Sequence, residues 1–595
     1  MENNLAKSVV CCLLAIVLTG AIPVRPQKNK EADQQKELEK KTLVLLNDMA
    51  AGAWSLKLPE NRLFIMSGAA DLLWSSDEKR ARALYWDALN ALNVVAQPVR
   101  STGQKLSQDE RIKIVQKYLS AFELRQKLLR QVAKRDAQLA LDMLRASRPA
   151  PPRNVMPEFT LPDDVQLEQA IATELAARDP AQALQIARQS LAKGLTLEVI
   201  GLLQRLNDAD TEKGSQFAGE IIAKIRTANF ATEFQAALIA VQLLHFSRKP
   251  DANQQTRLGG GTSGVKILNV DEEQKRTLVE VLTDTALSAT AGAQVIWHLA
   301  HILPEIEHFF PERHDAVVRK LATFRRTTHQ ADLRQDEYNL LVAYGPVEEV
   351  VRVAATADSD AREYLLGQAA MMAVAQGKTD WFREALKKQE MDDQHRARII
   401  DSLDYEEIAS LSMHKRVDQL KELLPKIRRK EERARAMAEL ALMLHEKGEK
   451  EDASALLDEA ATLIKTDLND DKQTTALLTL LCAFAVVDPP RAFALAERTI
   501  DRANRQISLL LLLDKVVKSG AIRKNEILLE QPQLMTLDFL VFKYGKGIAA
   551  LAKADFNRTR ALAERFDRNE LRLMAQLFVL RGLLEPQTAA SAAAL

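Results

Sequence analysis

ARAMAELALMLHEKGEKEDASALLDEAATLIKT, residues 434 to 466, reads as one complete helical hairpin. Met437, Ala441 and Leu444, flanked by Ala438 and Leu442, recur at helical spacing and give the first arm a continuous apolar stripe. Gly448 follows the last periodic residue, where a left-handed glycine satisfies the orphan carbonyls of a helix end, and the charged EKGEKED around it belongs in water. Asp452 stands where an N-cap would, and Ala453, Leu457, Ala460 and Ile464 line the second arm. Small alanines at the seam let two helix backbones approach closely.

The pattern recurs along the chain. ENRLFIMSGAADLLWSSDEKRARALYWDALNAL, from Glu60 to Leu92, is a second hairpin with its turn at Ser75 to Asp77, and Ala81, Tyr85 and Ala88 repeat the spacing of Ala453, Leu457 and Ala460. Four phrases place Asp just before a new apolar helix: RDAQLALDML from Arg135, RDPAQALQIA from Arg178, VDPPRAFALA from Val487 and ADFNRTRALA from Ala554. Asp at the N-cap accepts from free backbone N–H groups, and proline after it lacks the N–H that would be orphaned, so these are helix starts without a catalytic role.

Hairpin turns in the C-terminal half fall at Gly345, Gly377, about Met413, Gly448, Asp488, Gly520 and Asp555, separated by 32 to 40 residues. That is the period of two-helix repeats. Turns at Asp136, Asp179, about Lys213 and Pro250 continue the series with looser spacing. The Ala453, Leu457, Ala460 set resembles the second helix of tetratricopeptide repeats, although the Trp, Gly and Tyr of that family's first helix are absent. The fold expected is all-α: an α-solenoid, a tetratricopeptide-like superhelix of about a dozen antiparallel helical hairpins. The resemblance implies a protein or peptide partner on a concave helical surface, an inference from fold analogy.

Residues 1–22 carry Lys7, an apolar run from Val9 to Leu18, and Thr19 and Ala21 in the small positions of a cleavage site. The run is short for a membrane span, so it reads as a signal peptide, with an uncleaved anchor as the other reading. The expected address is periplasmic or secreted. Residues 23–41 form a charged linker, 42–146 and 165–246 helical hairpins, and 271–585 the C-terminal array. Two interruptions separate them: a connection at 147–164 with five prolines, and a flexible glycine-rich loop at 247–270. Residues 586–595 read as a disordered tail.

Composition narrows the chemistry. Net charge is +1 with Lys and Arg (82) balancing Asp and Glu (81), which gives no electrostatic reason to bind nucleic acid, or membrane beyond the signal. Of three cysteines, Cys11 and Cys12 lie in the signal, leaving Cys482 with no intramolecular partner. The loop Gly259 to Gly264 is followed by Val265 and Lys266 rather than Lys and Ser or Thr, so it is no phosphate loop. No cofactor is expected, and no catalytic residue is assigned. Oligomeric state is not encoded in these patterns.

One cluster holds weak candidates for a metal. WHLAHILPEIEHFFPERHD, residues 297–315, contains His298, His301, His308 and His314, and His298, His301 and Glu305 are spaced to share a helical face. Imidazoles and a carboxylate can bind zinc, but Pro304 interrupts the helix and no HExxH pattern is present. The bland alternative is helix-end histidines beside Trp297, Phe309 and Phe310. IRRKEERARA, from Ile427, reads as a solvated face, and Trp54, Trp74, Trp86, Trp297 and Trp381 read as core. The reading with most support is a protein-binding or scaffolding module of the bacterial cell envelope, without catalysis. A helical enzyme or metal protein using His298 and His301, or a structural envelope spacer, stand as rivals.

Overall fold

The structure is a computed structural model that describes residues 27–96, 107–147, 164–228, 230, 234–248, 267–290, 295–327, 338, 341–342, 346–464, 471–517, 522–529, 547–548 and 550–584. The signal, most of the proline-rich connection and of the glycine-rich loop, the tail, and the turns at Pro250, Gly345 and Gly520 lie outside them.

Helices in the first half are α1 Gln27–Gly52, α2 Pro59–Leu73, α3 Glu78–Val95, α4 Gln108–Ala133, α5 Ala137–Ala146, α6 Asp164–Ala176, α7 Pro180–Lys193, α8 Glu198–Ala209 and α9 Thr211–Arg226. Then come α10 Phe234–Phe246, α11 Glu272–Ser288, α12 Val295–His298, α13 Leu303–Phe309 and α14 Pro311–Thr327. The next series is α15 Val347–Ala354, α16 Ser359–Ala375, α17 Thr379–Lys387, α18 Asp393–Met413, α19 Val417–Leu423, α20 Lys430–Lys447 and α21 Lys450–Leu463. Last are α22 Asp471–Val487, α23 Pro489–Val517, the two-residue strands β1 Ile522–Arg523 and β2 Glu526–Ile527, α24 Phe556–Glu564 and α25 Asn569–Leu584. Among the described residues that antiparallel pair is the only strand structure beside the helices, and the fold is all-α.

Local chemistry sets the helix starts. Asp77, Asp136, Asp179, Asp210, Asp358 and Asp555 each accept from the backbone N–H three residues on, at 2.9 to 3.1 Å. The turn expected near Lys213 is therefore the Asp210 cap. The expected linker at 23–41 is, from Gln27, part of α1; Leu38 within it already packs against the core, and Thr42 is buried. In the opening hairpin Met437, Ala441, Leu444, Ala453, Leu457 and Ala460 are all buried. Asp452 is not its N-cap: α21 starts two residues earlier, behind Glu449, and Asp452 lies in the first turn.

Three hairpin turns share one closure. Gly377 and Gly448 are left-handed, with φ of 63° and 91°, and between them Lys415 adopts φ 52°. In each, the next residue's N–H reaches back five residues: Lys378 to Ala373 O at 2.8 Å, Arg416 to Leu411 O at 2.9 Å, Glu449 to Leu444 O at 3.0 Å. This is the helix-ending motif that glycine suits best, so Lys415 does the same job at a backbone cost.

Packing runs from neighbour to neighbour. Among the early helices α6 lies against α4, α7 and α8, and among the later ones α20 lies against α18, α21 and α22. Ion pairs link positions about one repeat apart: Arg188 with Glu220 at 2.7 Å, Lys378 with Glu348 and Lys415 with Glu446 at 2.6 Å.

The two ends also meet. α25 packs on α1 and α2, so one core cluster joins Leu45 through Phe324 to Ile527 through Leu580. A Cβ on Gly52 would stand 2.9 Å from Leu573, and one on Gly68 2.7 Å from Leu577, one turn further along α25. Beside this seam the Glu526 carboxylate accepts the free N–H groups of Lys57 (2.6 Å) and Leu58 (2.9 Å) at the start of α2. Asn61 donates to Ile527 O at 2.9 Å and accepts from Leu529 N at 2.9 Å, and Glu570 accepts from Ile527 N at 3.1 Å. Asn61, Glu526 and Glu570 are all buried, so these polar groups are matched where water is excluded.

Two expectations fail on burial. Trp54, Trp86 and Trp381 are exposed, because the neighbouring Ala53 and Phe382 and the nearby Leu89 take the inward positions on their turns; Trp74 is half-buried beneath Arg82. The side chain of Trp297 lies outside the description. The segment from Ile427 is not a solvated face either. Arg435 and Glu432 are buried and paired at 2.9 Å, and Arg435 lies over the Tyr405 ring while donating to Tyr405 O at 3.0 Å.

Candidate functional site

The histidine cluster sits where α10, α11 and α13 converge. Its helix is not continuous. α12 ends at His298, a 3-10 turn covers Leu299–Ile302, and Pro304 occupies the first turn of α13, where its missing N–H costs nothing. The face shared by His298, His301 and Glu305 in an uninterrupted helix is therefore broken.

Beside it opens a pocket of about 260 Å³, lined by Leu244, Ser247, Arg248, Glu272, Lys275, Pro304, Glu305, His308 and Phe309. Arg248 organises its wall. Its Nε and Nη2 grip both oxygens of Glu305, the second at 2.6 Å, and Nη2 also donates to His301 O at 2.9 Å. Lys275 pairs with Glu272, one turn apart on α11, at 2.9 Å. Both carboxylates therefore already face a fixed cation.

His298 is buried, and burial with the neighbouring His301 pushes its imidazole down to about 4. Burial, then Arg248 and His245, lowers His301; burial, then Arg248, lowers His245, against Glu305. These are neutral imidazoles at pH 7. The structure thus brings His301 and Glu305 to Arg248 and leaves His298 off the pocket wall. Among the described residues no group of three or more His, Cys, Asp or Glu is placed to hold a metal ion.

A second groove, of about 510 Å³, lies between successive hairpins and is lined by Lys387, Asp393, Arg396, Ala397 and Arg428. Two of its cations have partners: Lys387 with Glu384 at 2.5 Å and Arg396 with Asp393 at 2.8 Å. Next to it Arg383 ties α17 to α18 through Asp404 at 2.6 Å and Glu407 at 2.8 Å. Burial pushes the Asp404 carboxyl up, and Arg383 opposes that shift.

One set of side chains escaped the reading of the sequence. Arg62, Arg362, Arg396, Arg433 and Arg572 are each the fourth residue of a helix, and each turns back to carbonyls of the preceding connection. Arg62 donates to Leu56 O at 2.6 Å, Arg362 to Ala357 O at 3.0 Å, Arg396 to Met391 O at 3.2 Å, Arg433 to Ile427 O at 2.6 Å and Arg572 to Phe566 O at 3.1 Å. The signal was an arginine three residues after each such helix start, most of them polar residues.

No helix among the described residues is long and apolar enough to cross a membrane. No protein-family model matches the chain, and no curated protein matches it.

Proposed function

We propose that this chain is an exported α-solenoid whose stacked hairpins hold a protein or peptide partner, a scaffold of the bacterial cell envelope. The observation that carries the reading is the neighbour-to-neighbour packing, in which α6 touches α4 and α8, and α20 touches α18 and α22. Alternate helices in contact make a row of their own, and such a row is the inner, ligand-facing wall of a helical-repeat superhelix. The arginine brackets, the left-handed turns and the ion pairs spaced about one repeat apart support the repeat. The Arg248–Glu305 pair supports a structural role for the histidine cluster.

The test is row-specific photo-crosslinking in the native envelope. Met371 on α16 and Trp381 on α17 are both exposed, on helices of opposite rows, and each would be replaced by a photoreactive residue. The expected result is one partner captured from one row. Equal capture from both rows, or none, would count against the scaffold. Fractionation with mass measurement of the N-terminus tests export: a cytoplasmic, full-length chain would remove the envelope address.

A further inference from the structure

The seam between α25 and α1–α2 joins the first and last described helices. It is made by the two ends of the array, and it couples an apolar ridge to a polar clasp. Leu573 and Leu577, one turn apart on α25, sit over Gly52 and Gly68, where an added Cβ would require the leucine methyls to shift. Gly68 lies inside α2 and is buried, a position where glycine weakens a helix, and the Leu577 methyls fill the space its Cβ would take. Around that ridge Glu526 seats on the start of α2, Arg523 pairs with Glu60 at 2.8 Å, and Asn569 donates to Ser55 Oγ at 2.8 Å.

A head surface and a tail surface that fit each other are heterologous, so the same fit can be satisfied within one chain or between copies. Closure within the chain has the advantage of effective concentration. We propose that this seam is an end-to-end latch: the ends close on each other in one chain, and when that closure is blocked each end takes the complementary end of a second copy. The released surfaces commit to that occupant because their known complement is this chain itself. The inference rests on the seam's own contacts and stands or falls independently of the envelope scaffold.

Complementation between full-length variants tests it. A head variant, Asn61→Leu with Gly68→Leu, keeps a sound tail. A tail variant, Glu526→Ala with Leu577→Asp, keeps a sound head. Each alone is expected to be monomeric by light scattering, with its helical circular dichroism retained, because neither a closed chain nor a like pair has one sound head and one sound tail to join. An equimolar mixture is expected to give a species of twice the monomer mass containing both variants. A mixture that stays at monomer mass overturns the latch. So does loss of helical signal in either variant alone, since the seam would then be integral to folding.

Discussion

Arg433 donates to Ile427 O from both Nε (3.2 Å) and Nη2 (2.6 Å), tying the fourth residue of α20 to the connection before it. Arg572 does the same to Phe566 O, at 3.3 and 3.1 Å, in α25. A planar fork delivers two donors to one carbonyl; a lysine ammonium on a mobile stem does not. Arg433→Lys and Arg572→Lys should therefore each cost about 1.5 to 3 kcal/mol, the scale of charge-assisted bonds. Urea unfolding of the two variants measures it, and an unchanged midpoint would reduce these arginines to surface decoration.

The turn at Lys415 offers a gain rather than a loss. It holds φ 52° where its counterparts at Gly377 and Gly448 hold 63° and 91°. Lys415→Gly relieves a left-handed strain of about 1 kcal/mol and gives up one exposed ion pair with Glu446 of smaller worth. Gly448→Ala imposes the same strain. The first variant should raise the thermal midpoint and the second lower it; shifts of the same sign would break the equivalence of the two turns.

These positions also show what the sequence could reveal. Asp136, Asp179 and Asp555 were legible as caps because a cap is a local pairing of one side chain with the next turn. Gly448 was legible because only glycine takes that conformation freely, and for the same reason Lys415 was not: nothing in its side chain advertises φ 52°. The arginine brackets were spaced like the helices but hidden among 82 basic residues. Gly68 and Leu577 meet across nearly the whole chain, and no local pattern encodes such a contact. In the histidine cluster Pro304 announced a break in the helix, but the 3-10 turn at Leu299–Ile302 that lies between His298 and Glu305 has no such local marker.

Arg435 and Glu432 form a buried pair on α20, and the guanidinium also lies 4.1 Å from the Tyr405 ring centre. Removing one partner leaves a charge without its counterion away from water, which costs about 3 to 5 kcal/mol. Arg435→Met and Glu432→Leu should each fall in that range, while the double variant should cost much less than their sum. Calorimetric midpoints of the three variants read the coupling. Strict additivity would show that the two charges do not act together.

The buried histidines set a pH dependence with a definite sign. His298 has a folded value of about 4 against 6.5 for a free imidazole, so the unfolded chain takes up the proton first and stability rises with pH between those limits. The contribution is fully present above pH 6.5 and is lost as pH falls toward 4, on the order of 3 kcal/mol for a shift of that size. The lowered His245 and His301 act in the same direction, with Arg248 adding its charge and Glu305 opposing at His245. Carboxylates elsewhere titrate near the acid end of this window, so the informative quantity is the difference between the parent chain and His298→Gln. Urea midpoints from pH 7.5 to 4.5 should fall less steeply in the variant, because its amide takes up no proton. Parallel slopes would mean that His298 is equally easy to protonate folded and unfolded, and that the imidazole is not sheltered at this crossing.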